Sequence, residues 1–254
     1  MKKTYTEELI ARFGHDPLRL LEALGGYYQV KKENGKRITP LVGYAGTYQN
    51  KNGTTLQYVG EVYCNFAKAE EYPSVLLHFA KQLYGKARIH TDVVFVGPAI
   101  GGIGIAMFVA LCASQNITAR YACAEKKVVK QATESLREQS VLQFNRHEVK
   151  PGDLVVICED VLNNFSTTDE LIRLVESHGA KVGLIMGLLN RSKIHKTGYF
   201  HNNKLIPVKS LVEKEFGQYC QDDPYVMEDI TKENIVLKPK NEWSKLMPET
   251  QAIV

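Results

Sequence analysis

Short apolar runs bounded by polar, glycine-containing turns recur along this chain, and the stretches between them carry helical period. Apolar residues fall at helical spacing over 7–13 and 17–24, and again over 72–84, where Val75, Leu76, Phe79 and Leu83 form one stripe. Glu33-Asn34-Gly35 and Asn50-Lys51-Asn52-Gly53 read as turns around short β-like runs such as 56–63, predicting a small antiparallel hairpin region. Beyond it, apolar strands near Val93, Ala119, Leu154 and Val182 alternate with helices, which is the pattern of an α/β parallel sheet flanked by helices. The helix over 167–178 is the best defined. Ser166/Asp169 and Thr167/Glu170 have capping-box spacing, Leu171, Ile172, Leu174 and Val175 supply a buried face, and Gly179 ends it. Past His195 the chain turns polar and aromatic, predicting a less regular C-terminal wrap. The expected division is an N-terminal hood with helices over 1–85, an α/β core over 86–194 and the wrap over 195–254.

Composition narrows the class. With 254 residues, 44% hydrophobic and 24% charged, the chain is long enough for one large core plus an attached subdomain. Cys64, Cys112, Cys123, Cys158 and Cys220 are scattered without a C-x-x-C pair, so neither a disulfide framework nor a zinc site is implied. The histidines show no metal spacing. No stretch has the ~20 consecutive apolar residues of a membrane span, and the first residues are charged rather than apolar, so a cytoplasmic protein without a membrane partner is expected. A net charge of +4 without an arginine-rich arm fits an anionic small substrate better than nucleic acid.

Two strand-to-helix junctions carry candidate chemistry. In Leu154-Val155-Val156-Ile157-Cys158-Glu159-Asp160-Val161-Leu162-Asn163-Asn164-Phe165-Ser166-Thr167-Thr168 an apolar strand ends in adjacent carboxylates, and a polar turn then opens a helix. Acids so placed bind ribose hydroxyls or a magnesium shell, and N–H groups at the helix start surround an anion. In Val93-Val94-Phe95-Val96-Gly97-Pro98-Ala99-Ile100-Gly101-Gly102-Ile103 a second strand runs into a glycine-dense turn, where missing Cβ atoms let backbone N–H groups approach a diphosphate. No Gly-Lys-Ser/Thr follows, which excludes a Walker loop, and Met107 stands where the last glycine of a dinucleotide fingerprint would be.

Together, in this order, the two motifs resemble the ribose-phosphate signature and pyrophosphate loop of the type I phosphoribosyltransferases, most like the orotate phosphoribosyltransferases. The resemblance implies that Glu159, Asp160 and the turn Asn163, Asn164, Phe165, Ser166 and Thr167 hold the ribose phosphate, and that Ala99, Ile100, Gly101 and Gly102 hold the pyrophosphate. Ala23-Leu24-Gly25-Gly26-Tyr27-Tyr28-Gln29-Val30-Lys31 is similar to the family's N-terminal segment, mapping its active-site lysine onto Lys31. The strand around Val182 ends Asn190-Arg191-Ser192, where the family's arginine grips the carboxylate of orotate, mapping it onto Arg191. A guanidinium grips a carboxylate with two parallel N–H bonds. The polar, basic stretch between the Ala119 strand and Gly152 is similar in placement to the family's closing loop, so Lys126, Lys127 and Lys130, with Asp160, are the candidate catalytic residues. Residues 132–144 read as partly helical.

What the resemblance implies for function is transfer of ribose 5-phosphate from phosphoribosyl pyrophosphate to a nucleobase, orotate first, with Mg²⁺ as cofactor, no side chain assigned as its direct ligand, and a homodimer as the assembly. The closing loop lacks the family's Lys-x-His-Gly part, and two single positions also depart from the pattern. Phe165 stands at a usual glycine, and a positive φ there costs a phenylalanine roughly 1–3 kcal/mol. Asn163 replaces a threonine that helps bind orotate, so another base, or a nonenzymatic sensor that binds phosphoribosyl pyrophosphate, stays open. No helix-turn-helix accompanies it to support a DNA-binding regulator. Tyr27, Tyr28 and Phe66 are either base-stacking or core residues.

Overall fold

The computed structural model describes residues 3–130 and 139–247. They form two compact units, one of Met1–Ile10 with Tyr72–Lys214 and the other of Ala11–Glu71 with Glu215–Val254.

The first unit is built on a seven-stranded sheet. Its elements are α1 (Pro73–Ala87), β1 (Val93–Pro98), α2 (Gly101–Ala113), β2 (Ala119–Lys130), β3 (Gln139–Gln143), β4 (Leu154–Leu162), α3 (Ser166–Ser177), β5 (Lys181–Asn190), β6 (Gly198–His201) and β7 (Lys204–Glu213). Strand order is β6-β7-β5-β4-β1-β2-β3, the five inner strands parallel and the two edges antiparallel. Every residue of β1 is buried, as a central parallel strand covered on both faces requires. Val94, Val96, Val155 and Ile157 join Leu171, Ile172 and Val175 of α3 in one core. The alternate residues, among them Phe95 and Val156, face the other side, where α2 packs against β1, β4 and β2, and α1 packs against α2.

Four expectations are corrected here. The segment after His195 is not an irregular wrap, because β7 lies parallel to β5 with Ile185 opposite Val208 and Leu189 opposite Val212, and β6 closes the edge. Pro207 hid it, since a proline inside a run argues against a central strand. Helix α1 and strands β6 and β7 lie in the sheet unit, so the compact units are cut differently from 1–85, 86–194 and 195–254. Residues 132–138 of the expected partial helix lie outside the described residues, and Gln139–Gln143 is a strand. It pairs with the outer half of β2, placing Glu125 opposite Gln143 and Lys127 opposite Val141. Finally, α3 forms where expected but without its capping boxes. Its N-cap is Phe165, with no side-chain cap bond, and Asp169 and Glu170 bind elsewhere.

In the second unit, Leu41–Gln49 pairs antiparallel with Thr55–Gly60 and parallel with Ile235–Val236. The hairpin Lys32–Glu33/Lys36–Arg37 turns on Asn34 and Gly35 at φ 49° and 78°, the two positive values that a tight two-residue hairpin uses. Tyr28 and Phe66 are buried in the fold, the Tyr28 hydroxyl donating to the Pro40 carbonyl at 2.6 Å, so both serve packing. Tyr27 is half-buried, and burial pushes its hydroxyl up to about 12. All five cysteines are free thiols. Among the described residues no helix is long and apolar enough to cross a membrane.

Candidate active site

The carboxyl ends of β1, β4 and β5 converge. Pairing of Ile157 with Val96 and of Leu162 with Asn190 sets the three ends side by side, and the Arg191 N–H donates to the Leu162 carbonyl at 2.8 Å. An open parallel sheet binds its ligands in the crevice outside such ends.

The glycine turn is made by close approach. A Cβ on Gly101 would stand 2.7 Å from the Asp160 carboxyl carbon, and one on Gly102 would stand 2.4 Å from the Cys158 carbonyl oxygen. A side chain at Gly102 would part the start of α2 from the end of β4, and one at Gly101 would displace the Asp160 carboxylate. The two motifs, about sixty residues apart in sequence, therefore meet at Gly101 and Asp160. The Ala99–Ile100 peptide between β1 and α2 is cis, and the Ala99 N–H donates to the Ala124 carbonyl at 2.8 Å. Ile100 is 81% exposed, an uncovered apolar side chain at the lip of the turn.

Of the paired acids, Glu159 is buried and Asp160 half-buried, and Asp160 Oδ1 accepts the following Val161 N–H at 2.8 Å. Burial pushes the neighbouring Cys158 thiol far up, which keeps it neutral and inert. Among the described residues no three His, Cys, Asp or Glu side chains are grouped as metal ligands. A Mg²⁺ carried largely on substrate phosphates and water needs only one or two carboxylates, and the Glu159–Asp160 pair meets that demand.

The second turn is made by side chains. Asn164 Oδ1 accepts from the Ser166 N–H at 3.3 Å and from its hydroxyl at 3.0 Å, and Asn163, Ser166 and Thr167 line the turn beside it. Phe165 adopts the left-handed conformation, φ 60° and ψ 14°, the case in which a phenylalanine at the usual glycine carries strain, and is only 3% exposed. Its carbonyl accepts the Asp169 N–H at 2.8 Å, the first bond of α3, whose remaining early N–H groups are those a helix leaves without internal partners.

Arg191 is half-buried at the end of β5. Asn190, fully buried, folds the chain after it: Nδ2 donates to the His195 and Lys196 carbonyls at 2.8 and 3.2 Å, and Oδ1 accepts the Ser192 N–H. Lys126, Lys127 and Lys130 do not sit on a simple loop. They lie on the outer half of β2, the first two exposed, just beyond the Ala124 that bonds to the glycine turn. Lys31 belongs to the second unit, exposed between two strands, with its N–H donating to Thr39 Oγ1 at 2.8 Å. Tyr199, His195 and His201 pack on or bond to the second turn and its helix; isolated aromatic and histidine residues in a polar stretch carry no local signal of that placement.

A parallel sheet whose strand ends bring a glycine turn and an acid pair with a phosphate-type turn together defines the type I phosphoribosyltransferase class, and the chain belongs to that family. It is 32% identical over 172 residues to the orotate phosphoribosyltransferase of Thermoanaerobacter sp. (strain X514), covering 64% of this chain and 78% of that enzyme. The orotate phosphoribosyltransferase of Caldanaerobacter subterraneus subsp. tengcongensis is 32% identical over 167 residues, covering 64% and 75%. The adenine phosphoribosyltransferase of Mycoplasmopsis pulmonis is 36% identical over a shorter stretch of 75 residues, 30% of this chain and 42% of that one. No family model matches the chain.

Proposed function

We propose that the chain transfers the 5-phosphoribosyl group of phosphoribosyl pyrophosphate to a ring nitrogen of orotate, releasing pyrophosphate. The observation that carries the reading is the contact of Gly101 with Asp160, which puts a diphosphate-binding turn beside the acids suited to a ribose. In the reaction the C1′–O bond to pyrophosphate breaks with its electron pair leaving on oxygen, the C1′–N bond forms, and the ring-nitrogen proton goes to solvent. Positive charge grows on the sugar and negative charge on the leaving group. Glu159 and Asp160 hold the ribose hydroxyls and favour the cationic sugar, while N–H groups of the glycine turn and Lys126 or Lys127 meet the departing diphosphate; fixed charges of this kind supply most of the rate enhancement in many enzymes. When bound, Mg²⁺ supplies further positive charge to the diphosphate. No general-base triad is required.

Support for orotate comes from the names of the longer-matching relatives and from Arg191, a guanidinium at the strand end suited to a carboxylate. Asn163 leaves room for another base, and the adenine phosphoribosyltransferase relative points to a second reading, a phosphoribosyltransferase for a purine. Product formation from phosphoribosyl pyrophosphate, Mg²⁺ and either orotate or adenine separates them. Arg191→Ala should cut kcat/KM for orotate by a factor corresponding to about 2–5 kcal/mol, the cost of leaving a buried carboxylate unpaired. Use of adenine alone, unaffected by that substitution, would select the purine reading, and tight ligand binding with no nucleotide from any base would leave only a sensor.

A further inference from the structure

In the second turn a phenylalanine occupies a left-handed position that favours glycine, and a specific set of side chains surrounds it. The Tyr199 ring, from β6, stacks on the Phe165 ring at 5.2 Å between centroids and 8° between planes. The His195 imidazole meets both rings edge-on, at 4.9 Å from Phe165 and 4.8 Å from Tyr199. The Tyr199 hydroxyl donates to Asp169 Oδ1 at 2.9 Å, in the first turn of α3, and the same oxygen is 3.1 Å from His201 Nδ1. Arg173 pairs with the other oxygen of Asp169, and His201 Nε2 lies 3.2 Å from Glu176. One tyrosine thus touches the residue that enters α3 and the residue that ends its first turn.

We infer that Tyr199 is a positioning residue for the phosphate of phosphoribosyl pyrophosphate, holding the turn Asn163–Thr167 in its binding shape through Phe165 and Asp169. The inference rests on the phosphoribosyltransferase reading above and extends it to a residue outside both sequence motifs. A flexible turn reaches an anion-binding shape by rearranging around the ligand; a turn built on a strained, non-glycine residue needs an external brace, and the stack supplies it. His195 extends the brace, because its carbonyl is held by Asn190 and its N–H donates to Ser192 Oγ at 3.1 Å, in the segment directly after Arg191.

The test is calorimetric titration of phosphoribosyl pyrophosphate with Mg²⁺ into the full chain, alongside steady-state kinetics. Tyr199→Ala should weaken binding about tenfold and raise KM for phosphoribosyl pyrophosphate in step, with KM for the base changed by less than about twofold. Tyr199→Phe, which keeps the stacking ring, should recover part of the loss. In a Phe165→Gly background the left-handed position costs nothing, so adding Tyr199→Ala should weaken binding by less than about twofold. Should Phe165→Gly not fold, the Tyr199→Ala and Tyr199→Phe pair decides alone. Unchanged affinity in Tyr199→Ala, or a fall in kcat at constant KM as from a smaller active fraction, overturns the inference while the native titration still supports the parent reading. A native chain that gives no heat with phosphoribosyl pyrophosphate overturns both.

Discussion

The two strand-to-helix turns of the sheet unit face the same crevice by opposite means. After β1 the chain removes side chains: Gly101 and Gly102 are bare because Asp160 and the Cys158 carbonyl occupy the space a Cβ would need. After β4 it adds them: Phe165 fills a left-handed position with a buried ring, and Asn164 bonds back to Ser166. The energies are comparable. Holding a non-glycine residue in a sparsely populated backbone region costs about 1–3 kcal/mol, and burying a phenylalanine side chain returns about 1.5–3 kcal/mol. A turn can therefore be shaped either by what it leaves out or by what braces it, and the second way makes its shape depend on distant residues.

The largest effect on activity should come from the bare turn. Gly102→Ala places a methyl against the backbone oxygen of Cys158, which cannot rotate away, so α2 must shift; a displacement near 1 Å in such a site costs about 100-fold in kcat/KM. Activity retained within a fewfold would show that the close approach is not needed. The braced turn should respond in stability. Phe165→Ala should lose about 3–5 kcal/mol in denaturant unfolding through the cavity it leaves. Phe165→Gly, although smaller still, should lose less by about 1 kcal/mol, because only glycine takes the left-handed conformation without penalty. The reverse order would break the contrast between the two turns. The smallest effect belongs to Glu170, whose Oε1 accepts the Leu142 N–H at 2.7 Å and ties α3 to β3. Glu170→Ala should cost about 1–2 kcal/mol locally, read as faster hydrogen exchange at the Leu142 amide with little change elsewhere.

The parallel strands around Val93, Ala119, Leu154 and Val182, the helix after Phe165 and both turn motifs were legible because each is written within a short run of consecutive residues. That Phe165 would be strained at a positive φ was legible too; that its φ is positive was not. Tyr199 was not, because its partners Phe165 and Asp169 lie thirty or more residues away and nothing local marks the pairing. The capping boxes failed for the same reason: Tyr199 and His201 bind Asp169, and the Leu142 N–H binds Glu170, so tertiary partners displaced the local ones. In β7, Pro207 interrupted a run whose buried residues Ile206, Val208 and Leu211 are plain only once β5 lies beside it.

Strand β2 runs on beyond the end of β1, paired there with β3, and as far as Val128 it keeps the alternation of a strand. Ala122 and Ala124 belong to the core shared with α3, so Lys126 carries on that side, directly opposite the buried Leu142. Lys127 carries on the side of Cys123, opposite the exposed Val141, and that is the side on which α2 lies. Adjacent in sequence and identical in charge, the two lysines leave the strand on opposite faces, so parity alone gives them different cross-strand neighbours.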